Sequence, residues 1–384
     1  MPTRSFVMTA ENIMGAGCLP DAMTVLQTRG FKRALIVTDA PLTLLGVSEK
    51  VAALLRERGL EVAVFDGVQP NPTVSNVDAG LAVLKSFGAD CLVSLGGGSP
   101  HDCAKVMAIL ATNGGTVMDY RGLNKVKVAP LPLVAINTTA GTASELTKFA
   151  VITEETKHIK MSIVDRQVAP LLSVNDPELM RGMPASLTAA TGMDALTHAV
   201  EAYVSTMATP VTDACALHAM RLIGQFLPRA VSNGKEDIEA REQMAYAQFL
   251  AGMAFNNALL GYVHAMAHQL GGQYNLPHGV CNAMLLPHVE AVNADACAPR
   301  LGDVARALGV DTTGQSVAEA AQAGVQALRD LARTVGIPAK LSEMGVKRED
   351  FALLAANAMK DGAGYTNPKK LSADDLIAIF EAAY

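Results

Sequence analysis

The chain has 384 residues, 50% hydrophobic and 18% charged, which suffices for about two or three domains with ordinary cores and excludes intrinsic disorder. Lys and Arg number 31 against 37 Asp and Glu, a net charge of −6 with no basic run, so neither nucleic acid nor a membrane surface is an expected partner. The start MPTRSFVMTAEN lacks a secretory apolar core, and Asn256, Asn257, His264 and His268 interrupt the apolar stretch Leu250 to Leu270. Cys18, Cys91, Cys103, Cys215, Cys281 and Cys297 form no CxxC pair, so a cytoplasmic protein with reduced thiols is expected.

The first half alternates short β-type runs with helical stretches. Strands are predicted at 34–38 (ALIVT), closed by Asp39, at 61–65 (EVAVF), 91–95 (CLVSL) and 133–137 (LVAIN). Helices are predicted over 48–58, stopped by Gly59, over 74–87 after the breaker Pro70-Asn71-Pro72-Thr73, and over 99–111. Strand-like pieces at 149–153, 160–164 and 171–174 close this half. The alternation implies an α/β domain built on a mostly parallel sheet. After Pro184 the period becomes helical, over 186–205, 209–227, 238–260, 263–274, 283–291, 301–308, 316–335, 348–359 and 373–382. The expected organisation is an α/β domain over 1–182 and an all-α domain over 183–384.

Three strand-end loops have the chemistry of a nucleotide site. Gly96-Gly97-Gly98-Ser99-Pro100-His101-Asp102 leaves a strand and opens a helix. Glycines there allow backbone N–H groups to approach a phosphate at a helix N-terminus. Ser99 is the expected N-cap, with Pro100 in the first turn and Asp102 as a capping carboxylate. Asp39 stands where an acidic side chain accepts hydrogen bonds from ribose hydroxyls and repels a 2′-phosphate, which points to NAD over NADP. Thr138-Thr139-Ala140-Gly141-Thr142 offers hydroxyls at a third strand end. Alone, the Gly-rich loop is equally compatible with an ordinary turn, and Asp39 and the Thr-rich loop read more readily as ordinary turns.

Four of the eight histidines fall in two short segments. Asp194 and His198 lie four residues apart, as do His264 and His268, so each pair shares a helix face. His278 follows in a predicted turn. Three neutral imidazoles and a carboxylate among small apolar residues suit a divalent transition metal such as Fe²⁺ or Zn²⁺. His101, His158, His218 and His288 read as ordinary core or surface histidines. No HExxH and no cysteine cluster is present.

Together these motifs resemble the iron-dependent (group III) alcohol dehydrogenases over essentially the whole chain. The carrying segments are Gly96-Gly97-Gly98-Ser99, Thr138-Thr139-Ala140-Gly141-Thr142, Ala190-Thr191-Gly192-Met193-Asp194-Ala195-Leu196-Thr197-His198, and His264 through Pro277-His278-Gly279-Val280. AINTTAGTASELTKF and LAGMAFNNALLGYVHAMAHQLGG are similar to the branch of NAD-dependent methanol, 1,3-propanediol and lactaldehyde dehydrogenases. The resemblance implies a Rossmann-like domain followed by a helical metal-binding domain, the dehydroquinate synthase-like fold. It implies metal ligands at Asp194, His198, His264 and His278, with Fe²⁺ the leading ion and Zn²⁺ or another divalent ion as alternatives. It implies dinucleotide contacts at Asp39, Asn71, Gly97, Gly98, Ser99, Thr138, Thr139, Thr142, Thr147, Val151 and Lys160, and a homo-oligomer, a dimer or larger.

The implied reaction is NAD-dependent oxidation of short-chain primary alcohols or diols to aldehydes, and its reverse. The cation acidifies the alcohol, nicotinamide takes the hydride, and His268, a turn from His264, relays the proton. Phe149 and Phe255 are expected pocket walls. Ala363 replaces a cysteine that lines the pocket in some relatives, and Gln273 stands where many have an aromatic residue. Both bear on substrate size. Alternatives at this point are a glycerol-type polyol dehydrogenase, a dehydroquinate-synthase-like lyase, which would need basic residues absent near these motifs, a metal-dependent hydrolase, and a non-catalytic NAD- or metal-binding protein.

Overall fold

The computed structural model describes residues 5–156 and 159–384; His158 lies outside them. The chain forms two compact units, Val7–Thr139 with Ala143–Arg181, and Gly182–Tyr384 with Ala140–Thr142.

The first unit contains, in order, β1 (Glu11–Met14), α1 (Leu19–Thr28), β2 (Arg33–Val37), α2 (Ala40–Leu44), α3 (Val47–Glu57), β3 (Glu61–Phe65), α4 (Val74–Phe87), β4 (Cys91–Gly96), α5 (Gly98–Asn113), β5 (Gly122–Leu123), β6 (Leu133–Asn137), β7 (Phe149–Glu154), β8 (Ile159–Val164) and β9 (Leu172–Asn175). Six strands form one sheet in the order β1-β9-β6-β4-β2-β3, and each adjacent pair is parallel. Successive strand residues point to opposite faces. Leu35 and Val37 pack with α4 and α5 on one side. Ala34 and Ile36 pack with α1 and α3 on the other. Burial on both faces explains the unbroken apolar runs of β2, β4 and β6.

The structure departs from the sequence expectation here in three ways. β1, α1 and α2 were not predicted. The strands at 149–154 and 159–164 leave the main sheet and form a separate three-stranded sheet with β5. The helix predicted from Ser99 starts at Gly98, capped by Gly97.

The second unit consists of α6 (Ala185–Val204), α7 (Pro210–Asn233), α8 (Ile238–Ala258), α9 (Tyr262–Tyr274), α10 (His278–Ala307), α11 (Val317–Thr334), α12 (Phe351–Ala358) and α13 (Ala373–Ala382). α7 continues through Pro228, where the sequence suggested a stop, because Phe226, Leu227 and Ala230 are buried along it. The two predicted helices at 283–291 and 301–308 belong to α10, which kinks at Cys297 and contains Pro287 and Pro299. His278 is the first residue of this helix and not part of a turn. No helix among the described residues is long and apolar enough to cross a membrane.

Candidate metal centre and nucleotide loops

The parallel sheet carries the loops after β2, β4 and β6 to one edge, because these strands are neighbours running in one direction. Ligands of open α/β sheets bind at such carboxyl ends. The β4 and β6 loops touch: Thr138 N donates to Gly96 O at 2.9 Å. A Cβ on Gly97 would lie 3.0 Å from the Thr139 side chain, so any larger residue there would press on the β6 loop. No side chain caps the N-terminus of α5. Its first N–H groups therefore carry no side-chain cap, which suits a pyrophosphate at this helix N-terminus.

Ser99, expected as the cap, lies in the first turn of α5 instead. Asp102 is not a cap either. Its carboxylate accepts from Ser144 Oγ at 2.6 Å and Val151 N at 2.9 Å, tying α5 to the segment that leads into β7.

Asp39 caps α2, accepting from Leu42 N at 3.0 Å, and partial burial raises its carboxyl above the ordinary range. Asn71 has φ +55° and accepts from Lys160 Nζ at 2.9 Å, so two residues named from the sequence meet. Thr142 groups with the helical unit, apart from Thr138 and Thr139. Phe149 opens β7 with the Lys148 ammonium 5.6 Å from its ring centre.

Sequence reasoning missed Lys105. Buried on α5, it donates to Ser144 Oγ (2.9 Å), Thr147 Oγ1 (3.4 Å) and Phe149 O (2.7 Å). Burial pulls its ammonium down to about 8, against the raising charges of Asp102 and Glu145. His101 is a buried core histidine, its Nδ1 2.7 Å from Ser94 Oγ, its Nε2 without a hydrogen-bond partner and its pKa pushed down by burial to about 3.

In the helical unit, spacing and packing bring the four proposed metal ligands together. α6 presents Asp194 and His198, α9 presents His264, and the first turn of α10 presents His278. Asp194 Oδ1 lies 4.0 Å from His198 Nε2, 3.9 Å from His264 Nε2 and 3.6 Å from His278 Nε2. Ligand atoms of Asp194, His198 and His264 all fall within 4.8 Å of one another. Gly279 allows this: a Cβ there would sit 2.2 Å from Ala190 O and 3.3 Å from Asp194 Cβ. The His278 side chain keeps 27% exposure while Asp194 keeps 2%.

Phe255 stacks on His198 at 4.2 Å between centroids, and His198 stacks on His264 at 4.7 Å. Burial, with the neighbouring His264 adding, pushes His198 down to about 4 against the pull of Asp194. The imidazole is therefore neutral near pH 7, the form a metal requires.

Glu201, which sequence reasoning missed, orients His264. It lies seven residues beyond Asp194 on α6, so the i, i+4, i+7 pattern of Asp194, His198 and Glu201 carried the signal. Its carboxylate accepts from Val263 N at 2.8 Å, His264 N at 3.4 Å and His264 Nδ1. It thus caps α9 from another helix and leaves the His264 Nε2 lone pair for a cation, the carboxylate–histidine–metal arrangement. Burial pushes Glu201 up to about 7 against the lowering effect of those N–H donors.

His268, a turn after His264, stacks on His278 at 5.5 Å. Its Nδ1 lies 2.8 Å from Asp361 Oδ2, and Asp361 Oδ1 accepts from Ala363 N at 2.9 Å. Burial alone would raise Asp361, but the His268 charge and these hydrogen bonds hold it below the usual range. Ala363 is half-buried and Gln273 is exposed on the last turn of α9.

A family model described as iron-containing alcohol dehydrogenase matches residues 9–177. The C-terminal model of the Fe-containing alcohol dehydrogenase family matches 188–384. Alcohol dehydrogenase 4 of Schizosaccharomyces pombe is 55% identical over 385 residues, covering 100% of this chain and 90% of that protein. The NAD-dependent methanol dehydrogenase of Bacillus methanolicus is 49% identical over 379 residues, covering 99% of this chain and 99% of that protein. The crystal structure of a 1,3-propanediol oxidoreductase superposes with a TM-score of 0.98 at 48% identity, each chain covered completely at 100%.

Proposed function

This chain belongs to the iron-containing alcohol dehydrogenase family, and on that premise we propose that it interconverts short-chain primary alcohols or diols with their aldehydes, using NAD. The observation that carries the reading is the convergence of Asp194 Oδ1 with three imidazole Nε2 atoms inside a helical unit. These donors fit a divalent ion, because lone pairs crowded in a buried site need a cation or protons to balance them. Asp194, His198, His264 and His278 would hold the ion, Fe²⁺ first, with Zn²⁺ or another divalent ion as alternatives. When bound it supplies Lewis acidity toward an alcohol or carbonyl oxygen.

The chain's own residues position the rest. Gly97, Gly98 and Ser99 offer N–H donors to a pyrophosphate, and Asp39 accepts from ribose hydroxyls. Thr138, Thr139 and Thr142 add hydroxyls, and the Asn71–Lys160 pair adds a fixed cation. Thr147 and Val151 form hydrogen bonds to Lys105 and Asp102, so their place in the site is to shape its floor. His268 takes the alcohol proton at Nε2, with Asp361 holding Nδ1 so that the free nitrogen is the acceptor. In the helical unit Phe255 and Ala363 bound the substrate, and the small Ala363 side chain favours room for a short diol over a tight fit. Six buried cysteines, none in a disulfide, support a reducing, cytoplasmic location. A homo-oligomer, a dimer or larger, belongs to the same proposal.

The test is NADH formation with a panel of short alcohols and diols, using protein stripped of metal and reloaded with Fe²⁺, Zn²⁺, Mn²⁺ or Mg²⁺. Metal-dependent turnover on primary alcohols, lost with His264→Ala, is the expected result. A preference for secondary hydroxyls would favour the polyol reading. Silence in both directions with every metal would overturn the assignment.

A further inference from the structure

One polar side chain among the proposed ligands has no place in the donor set. Asn282 lies four residues after His278, one turn along α10, and is fully buried. Its Nδ2 lies 2.7 Å from Asp194 Oδ1, 3.0 Å from His264 Nε2 and 3.2 Å from His278 Nε2. Each of those atoms is one assigned to the cation. The orientation of the amide follows from the carboxylate, which accepts only: a flipped amide would set two oxygens against each other. An –NH₂ group has two hydrogens, so three acceptors compete for two donors. At the other end, Asn282 Oδ1 is buried with no hydrogen-bond partner. The side chain is therefore held in place by what its nitrogen does.

We propose that Asn282 is the residue that orients Asp194 and sets the ion selectivity of the centre; this rests on Asp194, His198, His264 and His278 being the ligands. An amide nitrogen has no lone pair to give a metal. Each imidazole Nε2 has one lone pair, which an ion would take, so beside a bound ion Asn282 keeps its donation to Asp194 Oδ1, whose carboxylate has lone pairs to spare, and is not a further ligand. It steadies the single carboxylate and keeps a second charged oxygen out. A centre of three imidazoles and one carboxylate favours borderline ions such as Fe²⁺ and Zn²⁺. A second carboxylate at this position would favour oxygen-seeking Mn²⁺ and Mg²⁺.

The test uses full-length protein stripped with chelator, as wild type, Asn282→Asp, Asn282→Leu and His264→Ala. Affinities for Zn²⁺ and Mn²⁺ are measured by competition with a chromophoric chelator, and the Co²⁺-loaded forms by visible absorption. Asn282→Leu is expected to weaken Zn²⁺ binding roughly 10–100-fold, the usual effect of losing a partner that orients a ligand. Asn282→Asp, which matches asparagine in size, is expected to shift the Mn²⁺-to-Zn²⁺ affinity ratio by roughly tenfold or more and to change the Co²⁺ spectrum. If Asn282→Leu fails to fold by circular dichroism, Asn282→Asp decides alone. Should the folded variants keep the wild-type ratio and spectrum while wild type binds an ion and His264→Ala does not, the proposal for Asn282 is wrong and the ligand set stands. Should wild type bind none of these ions, or His264→Ala bind them equally well, the ligand set fails and the proposal falls with it.

Discussion

At the scale of the residue, Asp39 has two separable tasks. It caps α2 through Leu42 N and places a negative charge at a strand end. Asp39→Asn keeps a capping oxygen and removes the charge, so the NADP-to-NAD ratio of kcat/KM is expected to rise roughly tenfold with little change in Tm. An unchanged ratio would take Asp39 out of the adenosine site. Glu290 gives a pH signature. Burial, with the Glu201 charge adding, pushes its carboxyl from 4.5 up to about 8, and Asn293 only partly offsets this. In that window the folded chain keeps a proton that the unfolded chain has released. Stability attributable to this group is complete below pH 4.5 and falls as pH rises to about 8. Glu290→Gln is expected to flatten the decline in Tm across that range. A slope identical to wild type would show that Glu290 ionises freely in the fold.

At the scale of the element, the centre depends on how closely α10 approaches α6. Gly279 sits at that contact, next to His278. Gly279→Ala puts a methyl group into the Ala190 carbonyl, and backbone cannot yield as a side-chain tip can. Overpacking of this kind costs about 1–3 kcal/mol. It also moves His278 away from Asp194. Lower Tm and sub-stoichiometric metal are the expected outcome, by thermal melting and elemental analysis. A variant that loads metal fully would show that α10 adjusts elsewhere. In the α/β unit, Lys105 plays the corresponding part as a buried strut from α5 to Ser144, Thr147 and Phe149.

At the scale of the whole molecule, the proposed ligands tie α6 to the consecutive helices α9 and α10, which lie far from it in sequence. A bound ion stabilises the folded state by mass action, about 2.7 kcal/mol at a hundred times Kd. Chelator-stripped protein is expected to melt lower and to recover on adding Fe²⁺ or Zn²⁺. Hydrogen exchange should show the regained protection in α6, α9 and α10, and not in the parallel sheet. Excess NAD should protect the loops after β2, β4 and β6 instead. Uniform protection by either ligand would contradict the assignment of one site to each unit.

The apolar runs of β2, β4 and β6, and the helical period after Pro184, were legible because burial on both faces of a strand, or along one stripe of a helix, leaves a local pattern. The i, i+4 pairs Asp194–His198 and His264–His268 were legible for the same reason: one turn of helix sets their neighbours. β1 was not, because its four half-buried residues become a strand only by pairing with β9, with Glu11 opposite Leu172. The cap of α5 was misplaced because Gly97 holds that position through its fit against Thr139, and a side-chain hydroxyl next door gave the stronger local signal. Asp102 likewise went to Ser144 and Val151. Sequence alone thus determined the family to which this chain belongs and pointed to the helix faces proposed to carry its chemistry. Only the tertiary structure decided that Glu201 meets His264, that Asn282 meets Asp194 and that Asp361 meets His268, because a hydrogen bond between helices depends on long-range packing that no local period records.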